Sequence, residues 1–207
     1  MKKDAPATAR NREPILSVLE DTLPDSGTVL EIAAGTGQHA VAFAPAFPGL
    51  TWLPTDMEDE NLASIRAWRA AHSAPSLLPP LRLDVEDAVW PVESDPPDAP
   101  VTAILAINLI HIAPWSASEG LMRGTGRILQ SGGVLYLYGP YRRGGAHTAP
   151  SNADFEQWLK DRNPDWGLRD VDDVAALAAA QGLTLERAVD MPANNLSLVF
   201  RKAQPDG

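Results

Sequence analysis

Three acidic side chains follow short apolar segments of the sequence and could hold a polar ligand. Glu31 lies near the end of one such segment, Asp56 ends a second and Asp84 ends a third. In an open α/β sheet, ligands bind beyond the carboxyl ends of the parallel strands, so we expect these carboxylates at one edge. Asp56 lies 19 residues after Gly37, close to the spacing of a carboxylate that binds a ribose hydroxyl. Asp84 could accept a hydrogen bond from an exocyclic amine, or it could cap the backbone that follows.

The turn after Glu31 is rich in small residues and precedes a predicted helix. Ala33, Gly35 and Gly37 let the backbone turn sharply and approach a ligand closely, and the helix start offers free N–H groups. The residues from Gly35 to Ala40 fit the G-x-G-x-x-A pattern of dinucleotide-binding turns. A carboxylate just before the turn better suits a ligand with hydroxyls or an ammonium group. A tight turn without any ligand is the third interpretation.

A second group of chemically capable residues follows the central apolar strand. Asn108 lies where this strand ends, and His111 follows one turn later. His111 could act as a general base because an unperturbed imidazole titrates near neutral pH, or it could be a packed histidine without chemistry. Tyr141 and the two arginines after it lie on a loop predicted to be polar and mobile, so they are candidate substrate contacts. The chain has no cysteine, and no second histidine or carboxylate has metal-ligand spacing to His111, so we predict no metal site.

The elements that position these side chains alternate between strand and helix. Alternation predicts an α/β fold with a mostly parallel sheet covered by helices on both faces. The last two predicted strands, 183–189 and 196–201, are joined by a short connection, which requires antiparallel pairing. A helix with Ile15 and Leu19 on its apolar face precedes the first strand, and Pro14 suits its first turn.

Length and charge restrict the domain organisation and the partners. The 207 residues suit a single domain, 1–207, in which residues 1–14 form an N-terminal arm or lid. The formal net charge is −10 without a basic stripe, so we expect no nucleic-acid partner. No apolar stretch is long enough to cross a membrane and no signal peptide is recognisable, so we expect a cytoplasmic protein. The oligomeric state does not follow from the sequence.

Several motifs together resemble known methyltransferase-like proteins. The pattern Glu31-x-Ala33-x-Gly35-x-Gly37 resembles motif I of class I S-adenosylmethionine-dependent methyltransferases, with alanine at the first glycine position. A small domain-of-unknown-function family that includes the methyltransferase-like 26 proteins is similar over nearly the whole chain, in the segments 10–16, 35–39, 108–115, 163–170 and 192–197. This resemblance implies the class I methyltransferase fold, a seven-stranded, mostly parallel Rossmann-like sheet with an antiparallel last strand. It implies no particular substrate.

The resemblance also implies S-adenosyl-L-methionine as the cofactor and suggests which residues contact it. The cofactor-binding residues would be Asn11, Glu31, Ala33, Gly35, Gly37, Asp56, Met57, Asp84, Val85 and Asn108. The catalytic residues facing the methyl acceptor would be His111, Asn108 and Tyr141, with Asn11, Arg12 and Tyr141 as a lid.

Three functions are compatible with these residues. The first is an S-adenosylmethionine-dependent methyltransferase acting on a small molecule or a protein side chain, because methyl transfer from a sulfonium depends mainly on positioning. The second is a cofactor-binding, non-catalytic interaction module on the same fold. The third is an NAD-dependent oxidoreductase that uses the glycine pattern from Gly35 to Ala40.

Overall fold

A seven-stranded sheet with helices on both faces forms the centre of the protein in a computed structural model, which describes residues 1–72 and 74–204. The strands are β1 Gly27–Ile32, β2 Leu50–Asp56, β3 Leu81–Arg82, β4 Val101–Ile107, β5 Val134–Gly139, β6 Tyr141–Arg143, β7 Ala146–His147, β8 Arg169–Asp170, β9 Leu183–Met191 and β10 Asn195–Lys202. The α-helices are α1 Pro6–Glu20, α2 Gln38–Phe43, α3 Asp59–Ala70, α4 Pro91–Ser94, α5 Trp115–Ile128, α6 Pro150–Lys160 and α7 Val171–Ala179. Short 3-10 helices span Ala44–Ala46 and Pro192–Asn194.

The strand order of the large sheet is β3-β2-β1-β4-β5-β10-β9. Strands β1 to β5 pair in parallel, and β10 pairs antiparallel with both β5 and β9. The predicted mostly parallel, seven-stranded α/β sheet with an antiparallel last strand is therefore confirmed. The order reverses beside β1 and β4, which is the place where open α/β sheets bind ligands.

The core consists of two apolar layers, one on each face of the sheet. Successive strand residues point to opposite faces, so Leu30 and Ile104 pack with α5 and α7, whereas Val29 and Leu105 pack with α1 and α2. Covering both faces in this way explains why the central strands are almost continuously apolar.

Helix α1 begins earlier than the sequence pattern indicates. We expected Pro14 in its first turn, but Pro6 is the first residue and Pro14 lies inside the helix, where its missing N–H removes one backbone hydrogen bond. The preceding residues are anchored on α3, because the N–H of Lys3 donates to Oγ of Ser64 at 2.8 Å and Nε1 of Trp68 donates to the carbonyl of Lys3 at 2.8 Å. The role of residues 1–14 as an arm or lid stays a prediction.

Strand β3 is shorter than the apolar segment from which it was predicted. It pairs with β2 only through Thr55 and Asp56. The N–H and carbonyl of Trp52 bond to Ser76 and Leu78 on this side of β2, so Pro54, two residues later, presents its missing N–H to the same side. The missing N–H of Pro54 therefore costs no hydrogen bond between β2 and β1.

The segment from Tyr141 to His147 is a β-hairpin and not the mobile loop predicted from its composition. Strand β6 pairs antiparallel with β7 and parallel with β8 in a separate three-stranded sheet. The hairpin turn is Gly144-Gly145, with φ angles of 59° and 80°. Two consecutive glycines with positive φ are typical of two-residue hairpin loops, so this signal was present in the sequence.

Glu31 lies inside the protein, on the face of β1 that is covered by α1 and α2. Its side chain is 1% exposed, and Nε1 of Trp52 donates a hydrogen bond to its Oε2 at 2.7 Å. Burial raises the pKa of Glu31 to about 7; the Trp52 hydrogen bond opposes this shift, and the negative charge of Asp56 adds to it. The carboxyl group is thus held in an environment that favours its protonated form.

The pKa of Glu31 predicts a pH-dependent stability. The folded pKa of about 7 exceeds the ordinary glutamate pKa of 4.5, so between these values the folded protein binds more protons than the unfolded chain. Rising pH therefore lowers the free energy of unfolding. Glu31→Gln does not titrate and keeps an oxygen for Trp52. Its stability relative to wild type should therefore rise by about 2–3 kcal/mol from about pH 5 to pH 8. Urea unfolding across this range measures the difference, and a pH-independent difference would contradict the raised pKa.

Gly124 of α5 provides a test of the core packing. A Cβ at Gly124 would lie 2.0 Å from Cζ2 of Trp90, which is completely buried. Alanine is favoured over glycine in helices by about 1 kcal/mol, yet Gly124→Ala should lower the free energy of unfolding by about 1–3 kcal/mol because of this overlap. Thermal and urea unfolding measure the change. The adjacent exposed substitution Arg123→Ala should stay within about 0.5 kcal/mol of wild type, and an equal loss in both variants would exclude the packing explanation.

Candidate functional site

The turn between β1 and α2 has the backbone conformation that small residues favour. Ala33, Gly35 and Gly37 have φ angles of 52°, 59° and 87°. The N–H of Ala34 donates to the carbonyl of Thr55 at 2.8 Å, which ties the turn to β2. The alanine at the first glycine position therefore adopts a left-handed conformation, at a strain of roughly 1 kcal/mol.

The two glycines of this turn have different surroundings. A Cβ at Gly35 would have only the carbonyl oxygen of Ala33 nearby, at 4.0 Å, so the outer side of the turn is open. A Cβ at Gly37 would lie 2.9 Å from Cα of Ile65 in α3. The missing side chain of Gly37 thus permits α2 to pack closely on α3, whereas that of Gly35 leaves the backbone accessible to a ligand.

Asp56 connects this turn to the start of α3. Its Oδ2 accepts the N–H of Gly35 at 2.9 Å, and its Oδ1 accepts the N–H of Glu58 at 2.9 Å and Nδ2 of Asn61 at 3.2 Å. The residue is 3% exposed. The structure therefore brings Asp56 and Gly35 together, and sequence analysis missed the supporting role of Asn61.

The residues beyond β2 and β3 differ in their access to solvent. Met57 is 47% exposed beside Asp56. Asp84 is partly exposed, and its Oδ1 accepts the N–H of Glu86 at 2.9 Å, which is the capping role that the sequence left open. Val85 packs in the core. Met57 and Asp84 therefore present surface to a ligand at this edge, whereas the side chain of Val85 does not.

Glu31 is not on the ligand-facing side of the turn. We expected its carboxylate to contact a ligand directly, but it is almost completely buried and bonded to Trp52. The reason is the alternation of side chains along β1, which directs Glu31 to the α1 and α2 face. Its influence on the turn is indirect, through packing beneath it.

A cavity of about 250 Å³ lies beyond the carboxyl ends of β4 and β5. It brings together Asn11 of α1 and Asn108, which were selected from distant parts of the sequence. Asn108 has a φ of 57°, and its N–H donates to the carbonyl of Tyr138 at 2.8 Å. The other lining residues include Tyr138, Ala193 and Asn195, which sequence analysis did not select as site residues, although Ala193 and Asn195 lie in the segment 192–197.

Asn11 is held in the cavity wall by a contact with α2. Its Oδ1 lies 2.9 Å from Nε2 of His39, whose ring stacks on Phe43 with the centroids 5.3 Å apart. Burial, together with the positive charge of Arg12, lowers the pKa of His39 to about 4. His39 is therefore neutral near pH 7, and it can donate its ring N–H to the Asn11 oxygen as a fixed structural bond.

His111 is a packed, neutral histidine with one unpaired ring nitrogen. It is 4% exposed, and burial followed by the charge of Arg169 lowers its pKa to about 4. Its ring contacts Phe155 edge-on, and a Cβ at Gly139 would lie 3.0 Å from Nδ1. No described residue forms a hydrogen bond with this buried Nδ1. The low pKa favours the packed histidine over a general base at neutral pH, and the unpaired Nδ1 leaves the ring able to form one more hydrogen bond.

Tyr141 belongs to the core and not to a surface lid. It is 1% exposed because strand β6 directs it into the apolar layer beneath α5 and α7. Burial raises the pKa of Tyr141 well above its usual range. Its hydroxyl has no hydrogen-bond partner among the described residues. We expected Tyr141 to contact a substrate from a mobile loop, but it is a buried core residue whose phenol stays protonated.

Two kinds of feature are absent from residues 1–72 and 74–204. No group of three His, Asp or Glu side chains there could hold a metal ion. No helix in that part of the chain has the length and apolar character needed to span a bilayer.

Several solved structures with the same fold are named as methyltransferases. An O-methyltransferase family protein from Burkholderia thailandensis has a TM-score of 0.78 at 16% identity, covering 97% of this chain and 58% of its own. Human N-acetylserotonin methyltransferase in complex with SAM has a TM-score of 0.76 at 12% identity, with 96% and 53% covered. CalO1, a methyltransferase in calicheamicin biosynthesis in its SAH-bound form, has a TM-score of 0.73 at 18% identity, with 95% and 55% covered.

The protein spans just over half the length of these three structures. At such low identities the similarity establishes the class I methyltransferase fold and leaves the activity to be argued from the site. A family model matches residues 2–202, from the N-terminal segment to the end of β10. Because this match covers nearly the whole chain, the protein belongs to the family described as "Protein of unknown function (DUF938)".

Proposed function

We propose that this protein is an S-adenosyl-L-methionine-dependent methyltransferase that acts on a small molecule or a protein side chain. The observation that carries the proposal is the bond from the N–H of Gly35 to Asp56, in a turn whose outer side is open. A small-residue turn joined to a strand-end carboxylate is suited to a ligand that carries an adenosine.

The described residues fit this cofactor. An ionised carboxylate has about four lone-pair sites, and three hydrogen bonds to Asp56 leave one for a ribose hydroxyl. Met57 would lie against the adenine, and Asp84 would accept its amine. Asn11 and Asn108 would hold the opposite end of the cofactor near the 250 Å³ cavity. The SAM and SAH complexes named for two structural neighbours support this choice of ligand.

When bound, S-adenosylmethionine supplies an electrophilic methyl group on a sulfonium. The protein must then position the acceptor atom, which is the main requirement for transfer. Asn108 is the best-placed residue because it lines the cavity in a fixed left-handed turn. We propose that neither His111 nor Tyr141 removes a proton from the acceptor, because burial keeps both groups uncharged, makes His111 a weak base and encloses Tyr141 in the core.

The net charge of the protein and the size of the cavity indicate which class of methyl acceptor fits. The net charge of −10 opposes nucleic acid, and the cavity of about 250 Å³ suits a small molecule or one side chain. The proposal includes a cytoplasmic location and kinship with the methyltransferase-like 26 proteins.

An NAD-dependent oxidoreductase is less compatible with β10, whose antiparallel insertion departs from the plain dinucleotide-binding sheet.

Binding of S-adenosylhomocysteine tests the cofactor assignment. We expect calorimetry to detect micromolar binding to the wild-type protein. Gly35→Leu fills the open side of the turn and should weaken binding at least about twentyfold, because the ligand can no longer approach the backbone. Gly144→Leu is the matched control: Gly144 has the same φ of 59° and open surroundings but lies in the β6–β7 turn. It should bind within about twofold of wild type.

Two results would contradict the cofactor assignment. The first is no detectable heat from the wild-type protein at millimolar S-adenosylhomocysteine. The second is an equal loss in both leucine variants, which would indicate that backbone strain and not occupancy of the turn governs binding.

Transfer itself is tested through Asn108. Asn108→Gly keeps the left-handed backbone but removes the amide. With a pool of small molecules and peptides as acceptors, formation of S-adenosylhomocysteine from the cofactor should fall by about 10- to 100-fold. Asn194→Gly, at an exposed residue with the same φ of 57°, is the control and should retain activity. Cofactor binding without product for any acceptor would instead favour the non-catalytic module.

A further inference from the structure

We propose that a second cavity, of about 460 Å³, binds a small aromatic acid whose anionic group pairs with Arg142 and Arg169. The cavity lies between α5, α7 and the small sheet of β6 and β8. Its walls are formed by Trp115, Arg142, Arg169, Asp173, Ala176 and Leu177. This site is separate from the glycine turn, and its occupation does not depend on methyl transfer.

Arg169 is rigidly held without being neutralised. Its Nε donates to the carbonyl of Ile110 at 3.1 Å, and its Nη2 donates to the carbonyls of Ala113 and Asp165 at 2.7 and 2.9 Å. All three acceptors are uncharged backbone groups. The guanidinium therefore keeps its positive charge in a fixed orientation, which favours recognition of a carboxylate or a phosphate.

Arg142 places a second guanidinium beside the first. Its Nε is buried, and no described residue accepts a hydrogen bond from it. Among residues 1–72 and 74–204, neither Arg142 nor Arg169 forms an ion pair with a carboxylate. A buried donor without an acceptor is unfavourable, so an anion in this cavity would satisfy the group and reduce the repulsion between the two cations.

The nearby acids are already engaged by other groups. Glu156 forms a hydrogen bond with His147 and an ion pair with Lys160. Asp170 accepts the N–H groups of Asp172 and Gly145. Neither carboxylate therefore forms a hydrogen bond with Arg142 or Arg169. Their negative charges still reduce the positive potential near Arg142.

The remaining walls define the body of the ligand. Trp115 and Leu177 present apolar surface, and the Arg169 guanidinium lies 5.6 Å from the Trp115 ring centroid. Asp173 is exposed in the first turn of α7, so water screens its charge. A planar apolar ring can therefore lie against Trp115 while its acidic group contacts the arginines.

Calorimetry without any cofactor tests this site, so its outcome is independent of the proposed methyl transfer. The probes are 2-naphthoate, uncharged 2-naphthol and inorganic phosphate. We expect 2-naphthoate to bind at least about tenfold more tightly than either of the other two, because only it combines a charge with a planar body.

Adjacent arginines provide the matched variants. Arg142→Met removes the charge but keeps a long side chain, and it should weaken 2-naphthoate binding about tenfold or more. Arg143→Met makes the same change one residue later in β6, where the side chain faces the other way and pairs with Asp190 at 3.3 Å. It should bind within about twofold of wild type. Ala176→Trp fills the cavity without changing the charge and should also abolish binding.

Each alternative result would overturn the assignment. Equal losses in the two methionine variants would indicate unspecific attraction by positive charge. Unchanged binding to Ala176→Trp, with its melting temperature preserved, would place the probe elsewhere. Equal affinity for 2-naphthol would exclude an anion site, and equal affinity for phosphate would exclude an aromatic acid. No binding of 2-naphthoate to wild type at ten millimolar would also refute the proposal.

Discussion

The hydrogen bond from the N–H of Gly35 to the carboxylate of Asp56 is the interaction that fixes the proposed cofactor-binding turn relative to β2. It joins the end of β1 to the end of β2, and the other oxygen of Asp56 bonds to Glu58 and Asn61 at the start of α3. These bonds are shielded from water because Asp56 is 3% exposed, and a charged acceptor makes them stronger than bonds between neutral groups. Without this carboxylate, the N–H groups of Gly35 and Glu58 would lose their partner, and the turn would lose one of its connections to β2.

Much of the fold could be predicted because the relevant signals are local. Alternating apolar strands and helices indicated the parallel sheet, and the short connection before Asn195 indicated the antiparallel hairpin of β9 and β10. The errors occurred where pairing with distant residues decides the structure. The sequence near Pro14 contains no sign that Lys3 is anchored on Ser64 and Trp68. Pro54 is tolerated in β2 because the short strand β3 pairs with β2 only at Thr55 and Asp56.

The candidate site was predictable in its residue types but not in the directions of its side chains. Asp56 and Gly35 meet as expected, whereas Glu31 lies inside β1, is buried beneath α1 and α2 and bonds to Trp52. Asp56 is the last residue of β2 and reaches the turn, whereas Glu31 lies before the end of β1 and stays beneath the turn. The prediction of a mobile loop at Tyr141 was wrong because Gly144 and Gly145 close a hairpin, in which strand β6 places the tyrosine in the core.

Burial shifts the pKa values of three titratable groups so that each favours its uncharged form, and this affects the chemistry that the site can perform. Burial raises the pKa of Glu31 to about 7, lowers that of His111 to about 4 and raises that of Tyr141. Each shift favours the uncharged form, so near pH 7 neither His111 nor Tyr141 carries charge. The polar groups that remain to bind a ligand at the turn are the carboxylate of Asp56 and the oriented backbone N–H groups. Such an environment is better suited to holding and orienting a charged ligand than to exchanging protons with it, and this agrees with a reaction in which positioning provides most of the acceleration.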